Sequence, residues 1–177
     1  MITFVIGGNK SGKSDFALGL LERNPGPKLF LATGQAKDLS FRTQIARHRD
    51  RRDPALPVVE VGWDLPRALL EAKKDYAAVL VDSLDFWLYL CIQEQREADL
   101  TQALFDILTA WKGPELILVS CEIGFSPLPG SCEARTFLKR LGRLNQAVAA
   151  LAHEAHLVVA GLPLVLKKAE HGDPQAD

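Results

Sequence analysis

The strongest constraint on this chain is eight residues long. Gly7, Gly8, Asn9, Lys10, Ser11, Gly12, Lys13 and Ser14 fit the pattern G-x-x-x-x-G-K-[ST]. The context is what the mechanism of such a loop demands. Residues 3–6 are an apolar run, and Phe16, Ala17, Leu20 and Leu21 follow at helical spacing, so the pattern lies between a predicted strand and a predicted helix. Glycines there let the backbone wrap phosphate oxygens, with successive N–H groups and the helix N-terminus aimed at the anion. Lys13 would reach the β and γ phosphates of a purine triphosphate, and Ser14 would offer its hydroxyl to Mg²⁺.

The rest of the chain reads as strands alternating with helices. Strands are expected at residues 28–33, 77–81, 116–120 and 157–160. At 77–81, 116–120 and 157–160 the apolarity is continuous rather than alternating, as in parallel strands covered on both faces. Helices are expected from Pro66 to about residue 74 with Asp64 as N-cap, over 84–111 with a polar interruption at 93–99, and over 135–154. The pattern predicts an α/β fold with a largely parallel central sheet. At 177 residues, a single domain spanning 1–177 is expected.

Charge and cysteine content narrow the classes. With 21 basic and 22 acidic residues the net charge is −1, so no global field draws the chain to nucleic acid or an anionic membrane. Cys91, Cys121 and Cys132 form no CxxC pair, which leaves a zinc site or disulfide framework unsupported and favours buried thiols in a reducing compartment. The longest mainly apolar stretch, 156–166, is too short to span a bilayer, and the N-terminus has no cleavable apolar segment. The cytoplasm is the expected location.

Three further positions carry chemistry. Asp82 follows the apolar run 77–81 and should emerge at the carboxyl end of a strand, either as a Mg²⁺ or nucleotide ligand or as the N-cap of the next helix. Glu122 occupies the same kind of position after residues 116–121. His48 lies among Arg47, Arg49, Arg51 and Arg52, on a segment where Phe41, Ile45 and His48 share one helical face. Such a basic run is a solvated helix face or a phosphate clamp, whose arginines keep the imidazole neutral and nucleophilic. His153, His156 and His171 read as structural or solvated.

Several separated motifs then agree in order and spacing with one family. They are the glycine loop, Ala32-Thr33-Gly34-Gln35, Ile45 with His48-Arg49 and Arg52, Glu60, Val79 to Leu84, Glu122-Ile123-Gly124, Pro129, Ala134-Arg135 with Phe137, Gly142 to Gln146, and Val158 to Pro163. On these the chain resembles, from Met1 to about Lys167, the bifunctional adenosylcobinamide kinase/adenosylcobinamide-phosphate guanylyltransferase family. The resemblance implies a RecA-like P-loop NTPase fold assembled as a homotrimer. It implies nucleotide contacts at Gly7 through Ser14, Thr33, Gly34, Gln35, Arg49, Asp50, Arg51, Arg52, Glu60 and Asp82, with Ser14 and Asp82 toward Mg²⁺. It also implies Lys13 and His48 as catalytic residues, with His48 accepting GMP from GTP before passing it to a corrinoid phosphate made with ATP or GTP. The chain differs from the family's usual residues at Ser40, Phe41, Gln44, Asp53, Cys121 and Ser126. Two other readings stand beside it: a single-activity small-molecule kinase in which His48 only binds phosphate, and a RecA-like regulatory ATPase.

Overall fold

The computed structural model describes residues 1–34, 56–124 and 130–169. Its strands are β1 (Ile2–Gly7), β2 (Lys28–Ala32), β3 (Val58–Glu60), β4 (Ala78–Asp82), β5 (Glu115–Cys121), β6 (Glu154–Val159) and β7 (Leu162–Lys167). Its helices are α1 (Lys13–Arg23), α2 (Leu65–Asp75), α3 (Leu84–Gln93), α4 (Glu97–Thr109) and α5 (Cys132–Leu151). The strands form one seven-stranded sheet in the order β3-β2-β4-β5-β1-β6-β7. All neighbours are parallel except β6 and β7.

Alternation along the strands sends side chains to two separate cores. Ile2, Phe4 and Ile6 of β1 join Leu69 of α2, Trp87 of α3, Leu104 of α4 and Leu144 of α5 on one face. Val5, Phe30, Leu80 and Val119 meet Ala17, Leu18 and Leu21 of α1 on the other. The expected two-sided burial holds for β4 and β5, but not for the strand expected at 157–160: in β6 Leu157 is half-buried and Val159 exposed, because β6 lies next to the edge strand β7. Helices cover both faces.

Boundaries differ where the sequence signal was ambiguous. The helix expected over 135–154 runs Cys132–Leu151, opened by Ser131, whose hydroxyl accepts the Ala134 N–H at 3.1 Å; Glu154 instead begins β6. The polar interruption at 93–99 does separate two helices, and Arg96 sits at the N-cap of the second. Asp64 takes the N-cap position of α2 but makes no side-chain capping bond. Two strands had no strand signal of their own. The first, β3, has only three residues and is fixed by pairing with β2. The second, β7, lay inside the apolar stretch 156–166 and folds back on β6 through Ala160 and Gly161, both at positive φ (50° and 81°). That pair of angles is the two-residue turn favoured in hairpins. Unlike the central strands, β7 is exposed along its full length.

Candidate active site

The site assembles where β1, β4 and β5 end. At the end of β1, Gly7 has no room for a side chain: a Cβ would lie 2.5 Å from the Val158 carbonyl oxygen and 2.6 Å from Ser11 Oγ. Gly12, at the N-cap of α1, has φ 91°, which an L side chain resists, and a Cβ there would meet Gly161 Cα at 3.0 Å. The loop between them closes on itself, the Ser11 N–H donating to Gly8 O at 3.3 Å. Gly161 N–H holds it from outside by donating to Ser11 O at 2.7 Å. Lys13 lies in the first turn of α1 and turns its ammonium back over the loop, where Nζ donates to Gly8 O at 3.1 Å. The glycine loop, the start of α1 and the ammonium thus stand together at this end of the sheet, an arrangement whose chemistry suits a phosphate.

The neighbouring strand ends complete the frame. Cys121 is the register partner of Gly7, and the Glu122 N–H donates to Gly7 O at 2.9 Å. Asp82 is the last residue of β4, and the N-cap position of α3 belongs to Ser83, so the capping alternative for Asp82 falls away. The Asp82–Ser83 peptide is cis. Thr33, just beyond β2, is buried and binds Ser83 through both its donor and its acceptor. Glu60 ends β3 opposite Ala32 and is exposed. Gly34 is buried beside Thr33.

Other expectations sort as follows. Gln35, His48, Arg49, Asp50, Arg51 and Arg52, with Ser40, Phe41, Gln44 and Asp53, lie outside the described residues, as do Ser126 and Pro129. The Glu122 carboxylate serves its own turn, Oε1 accepting the Gly124 N–H at 2.7 Å. His153 is structural: its Nδ1 accepts the Ile2 N–H at 3.0 Å. Of the three thiols Cys91 is buried and Cys121 half-buried, but Cys132 is exposed at the start of α5, so burial does not describe all of them. Burial pushes the Cys121 thiol above its ordinary value; Lys13 opposes this, while Asp85 and Glu122 add to it.

Ser14 and Asp82 supply a hydroxyl and a carboxylate, the hard oxygen donors that suit Mg²⁺. No group of three or more His, Cys, Asp or Glu side chains among the described residues gathers as a metal cage.

Comparison with known proteins decides the kinship. Residues 3–166 match the family model described as cobinamide kinase / cobinamide phosphate guanyltransferase. This chain belongs to that family. Among curated relatives, the bifunctional adenosylcobalamin biosynthesis protein CobP of Pseudomonas aeruginosa is 34% identical over 170 residues, covering 94% of this chain and 98% of its own. The corresponding CobU proteins of Escherichia coli and Salmonella typhimurium are 29% and 28% identical, each over 94% of this chain and the full length of theirs. The fold is also that of a KaiC-like protein from Pyrococcus horikoshii (TM-score 0.56, 16% identity, 96% of this chain and 79% of that one). A second protein of that archaeon superposes at TM-score 0.60 with 8% identity, over 96% of this chain and 87% of its own. The architecture is thus that of a RecA-like P-loop NTPase, and family membership makes the chain a transferase of cobalamin biosynthesis.

Proposed function

We propose that this chain phosphorylates adenosylcobinamide with ATP or GTP and then transfers GMP from GTP to the resulting phosphate through a guanylylated His48. The observation that carries the reading is the phosphate cradle of Gly7–Ser14, with Lys13 folded over it, in a chain that matches the family along almost its whole length. Phosphoryl transfer needs little covalent help from protein; it needs the phosphates positioned and their charge offset. Lys13 and the loop N–H groups do this. Ser14 and Asp82 would hold Mg²⁺, which would offset charge on the nucleotide phosphates. Thr33, Gly34, Gln35, Glu60 and the arginines 49, 51 and 52, with Asp50, complete the nucleotide contacts.

The guanylyl step rests on His48. A neutral imidazole nitrogen attacks the α-phosphorus, the N–P bond forms, and the bond to pyrophosphate breaks with its electron pair leaving on oxygen. The corrinoid phosphate then displaces the histidine. Exposure to α-labelled GTP followed by a denaturing gel tests this: covalent label, lost in acid and stable in alkali, is expected, and its absence sinks the guanylyl reading.

We also take the chain to work as a homotrimer in the cytoplasm, one domain per subunit. No helix among the described residues is long and apolar enough to cross a membrane. The edge strand β7 exposes Leu162, Leu164, Val165 and Leu166, an apolar edge, unpaired among the described residues, of the kind proteins normally cover. A monomeric mass in sedimentation would contradict the assembly.

A further inference from the structure

The buried polar side chains among the described residues are Thr3, Thr33, Ser83, Ser120 and Asn145. All but Thr3 meet in pairs at the carboxyl end of the sheet. Thr33 binds Ser83 beyond β2 and β4, and Ser120 of β5 donates its hydroxyl to Asn145 Oδ1 of α5 at 2.7 Å. Between the pairs the sheet parts. β4 and β5 are in register from Ala78 and Glu115 to Val81 and Leu118; beyond that β5 runs on to Cys121 beside β1, while Asp82 pairs with Ala32 of β2. The crevice outside such strand ends is where open α/β sheets bind ligands.

Asn145 does more than meet Ser120. Its Nδ2 donates to Cys121 O at 3.1 Å, so one buried amide holds consecutive residues of β5 past the last β4 pair. Its neighbours on the buried stripe of α5 are Leu141, Leu144 and Val148. Asparagine is a poorer helix former than leucine, and a buried amide costs free energy unless it is bonded. Packing alone would favour another leucine here.

The bond to Cys121 O gains its meaning from the other end of the same peptide group. The Cys121 carbonyl and the Glu122 N–H lie in one peptide plane, and that N–H donates to Gly7 O at 2.9 Å. Asn145 holds one edge of the plane and Gly7 the other. Because a peptide plane is rigid, its orientation sets where Gly7 O sits. That is the point where β1 opens into the glycine loop and where a Cβ has no room. Hydrogen bonds linked through one buried peptide also polarise and strengthen each other.

We propose that Asn145 is a positioning residue of the nucleotide site: its amide donor fixes the Cys121–Glu122 peptide, which fixes the Gly7 end of the loop before a triphosphate arrives. It acts through Cys121 and Gly7, not on the phosphates. Without the donor the peptide turns more freely and the loop spends less time in the arrangement that receives phosphates. Apparent affinity then falls in proportion to that fraction. The inference rests on the nucleotide reading above and does not need the corrinoid chemistry.

The test compares N145L, which fills the space without the donor, with V148A, which loosens the same helix about one turn later and leaves the clamp in place. Urea unfolding reports what each costs in stability, and titration reports the Kd for MgATP. N145L should raise that Kd at least about 10-fold, and V148A should change it less than about 2-fold whatever stability it loses. The Glu122 N–H should exchange slowly with solvent in the nucleotide-free wild type and faster in N145L. Wild-type Kd in folded N145L overturns the proposal. So does a Kd in V148A raised as far as in N145L, which would make Asn145 one more packing residue. If N145L does not fold, N145S decides by the same measurements, since its side chain is a heavy atom shorter and lacks the Nδ2 donor; wild-type Kd in it overturns the proposal. A Glu122 amide that exchanges without protection in the wild type overturns it without any variant. Failure of the reading beneath it looks different: a wild-type chain that binds neither MgATP nor MgGTP leaves no nucleotide site to position, and this inference goes with it.

Discussion

Thr33 and Ser83 are joined by two hydrogen bonds through one hydroxyl: Thr33 Oγ1 donates to the Ser83 carbonyl at 2.6 Å and accepts the Ser83 N–H at 2.8 Å. The pair locks the ends of β2 and β4 together directly after Asp82, with a third bond from the Thr33 N–H to Asp82 O at 3.1 Å. Thr33→Val keeps the shape but strands a buried donor and a buried acceptor. Urea unfolding should show a loss of about 2 kcal/mol, and Thr33→Ser should recover most of it. Equal stability of Val and wild type would remove the lock from the account of the site.

Lys13 Nζ donates to Gly8 O, so a bound phosphate would exchange one acceptor for another. Lys13→Ala is expected to fold normally and lose at least about 100-fold in kinase kcat, near 2.7 kcal/mol. Asp82→Asn, by contrast, should weaken nucleotide binding only when Mg²⁺ is present. Saturating-nucleotide kinetics and titrations with and without Mg²⁺ separate the two. Wild-type turnover of Lys13→Ala would contradict its role.

For His48 the discriminating experiment is positional labelling. α-Labelled GTP should mark the protein and γ-labelled GTP should not mark this residue, because the phosphorus retained is the one next to the ribose. His48→Ala should abolish both the label and guanylyl transfer. Guanylyl transfer at the wild-type rate in that variant would reduce His48 to one member of a phosphate-binding basic patch.

The thiols should differ in reactivity. Only thiolate attacks an alkylating reagent, so exposed Cys132 should react first at neutral pH, with Cys121 slower and Cys91 slowest. Burial is the first cause of the Cys91 shift, from the ordinary thiol value of 9.0 to about 12. Because the folded thiol holds its proton more tightly than the unfolded one, its stabilising contribution is complete below pH 9.0 and is lost as pH rises toward 12. Melting temperatures across that window should therefore fall more steeply for the wild type than for Cys91→Ala. Parallel curves would refute the linkage.

The sequence was most legible where one residue type has one physical use. Gly7 and Gly12 announced a loop that no side chain fits, and Val79, Leu80 and Val81 announced a strand buried on both faces; the structure has both. Legibility failed where tertiary pairing decides. Val58 and Val59 become a strand only because β2 is beside them. Leu162 to Lys167 carried only the apolarity of a longer stretch and lies at an exposed edge, since apolarity alone does not tell an interior strand from an edge one. The part played by Asn145 was illegible for a third reason: which carbonyl a buried amide meets is a property of packing and leaves no mark in residue order.

The contact between Gly161 and the glycine loop has a practical side. An exposed two-residue turn is an inviting place for an affinity tag, a fluorescent insert or a circular break. Here that turn is bonded to Ser11 O and rests on Gly12. Residues 160 and 161 therefore form a back wall to the glycine loop. An insertion there would be expected to blunt phosphate affinity while leaving the far edge of the sheet intact.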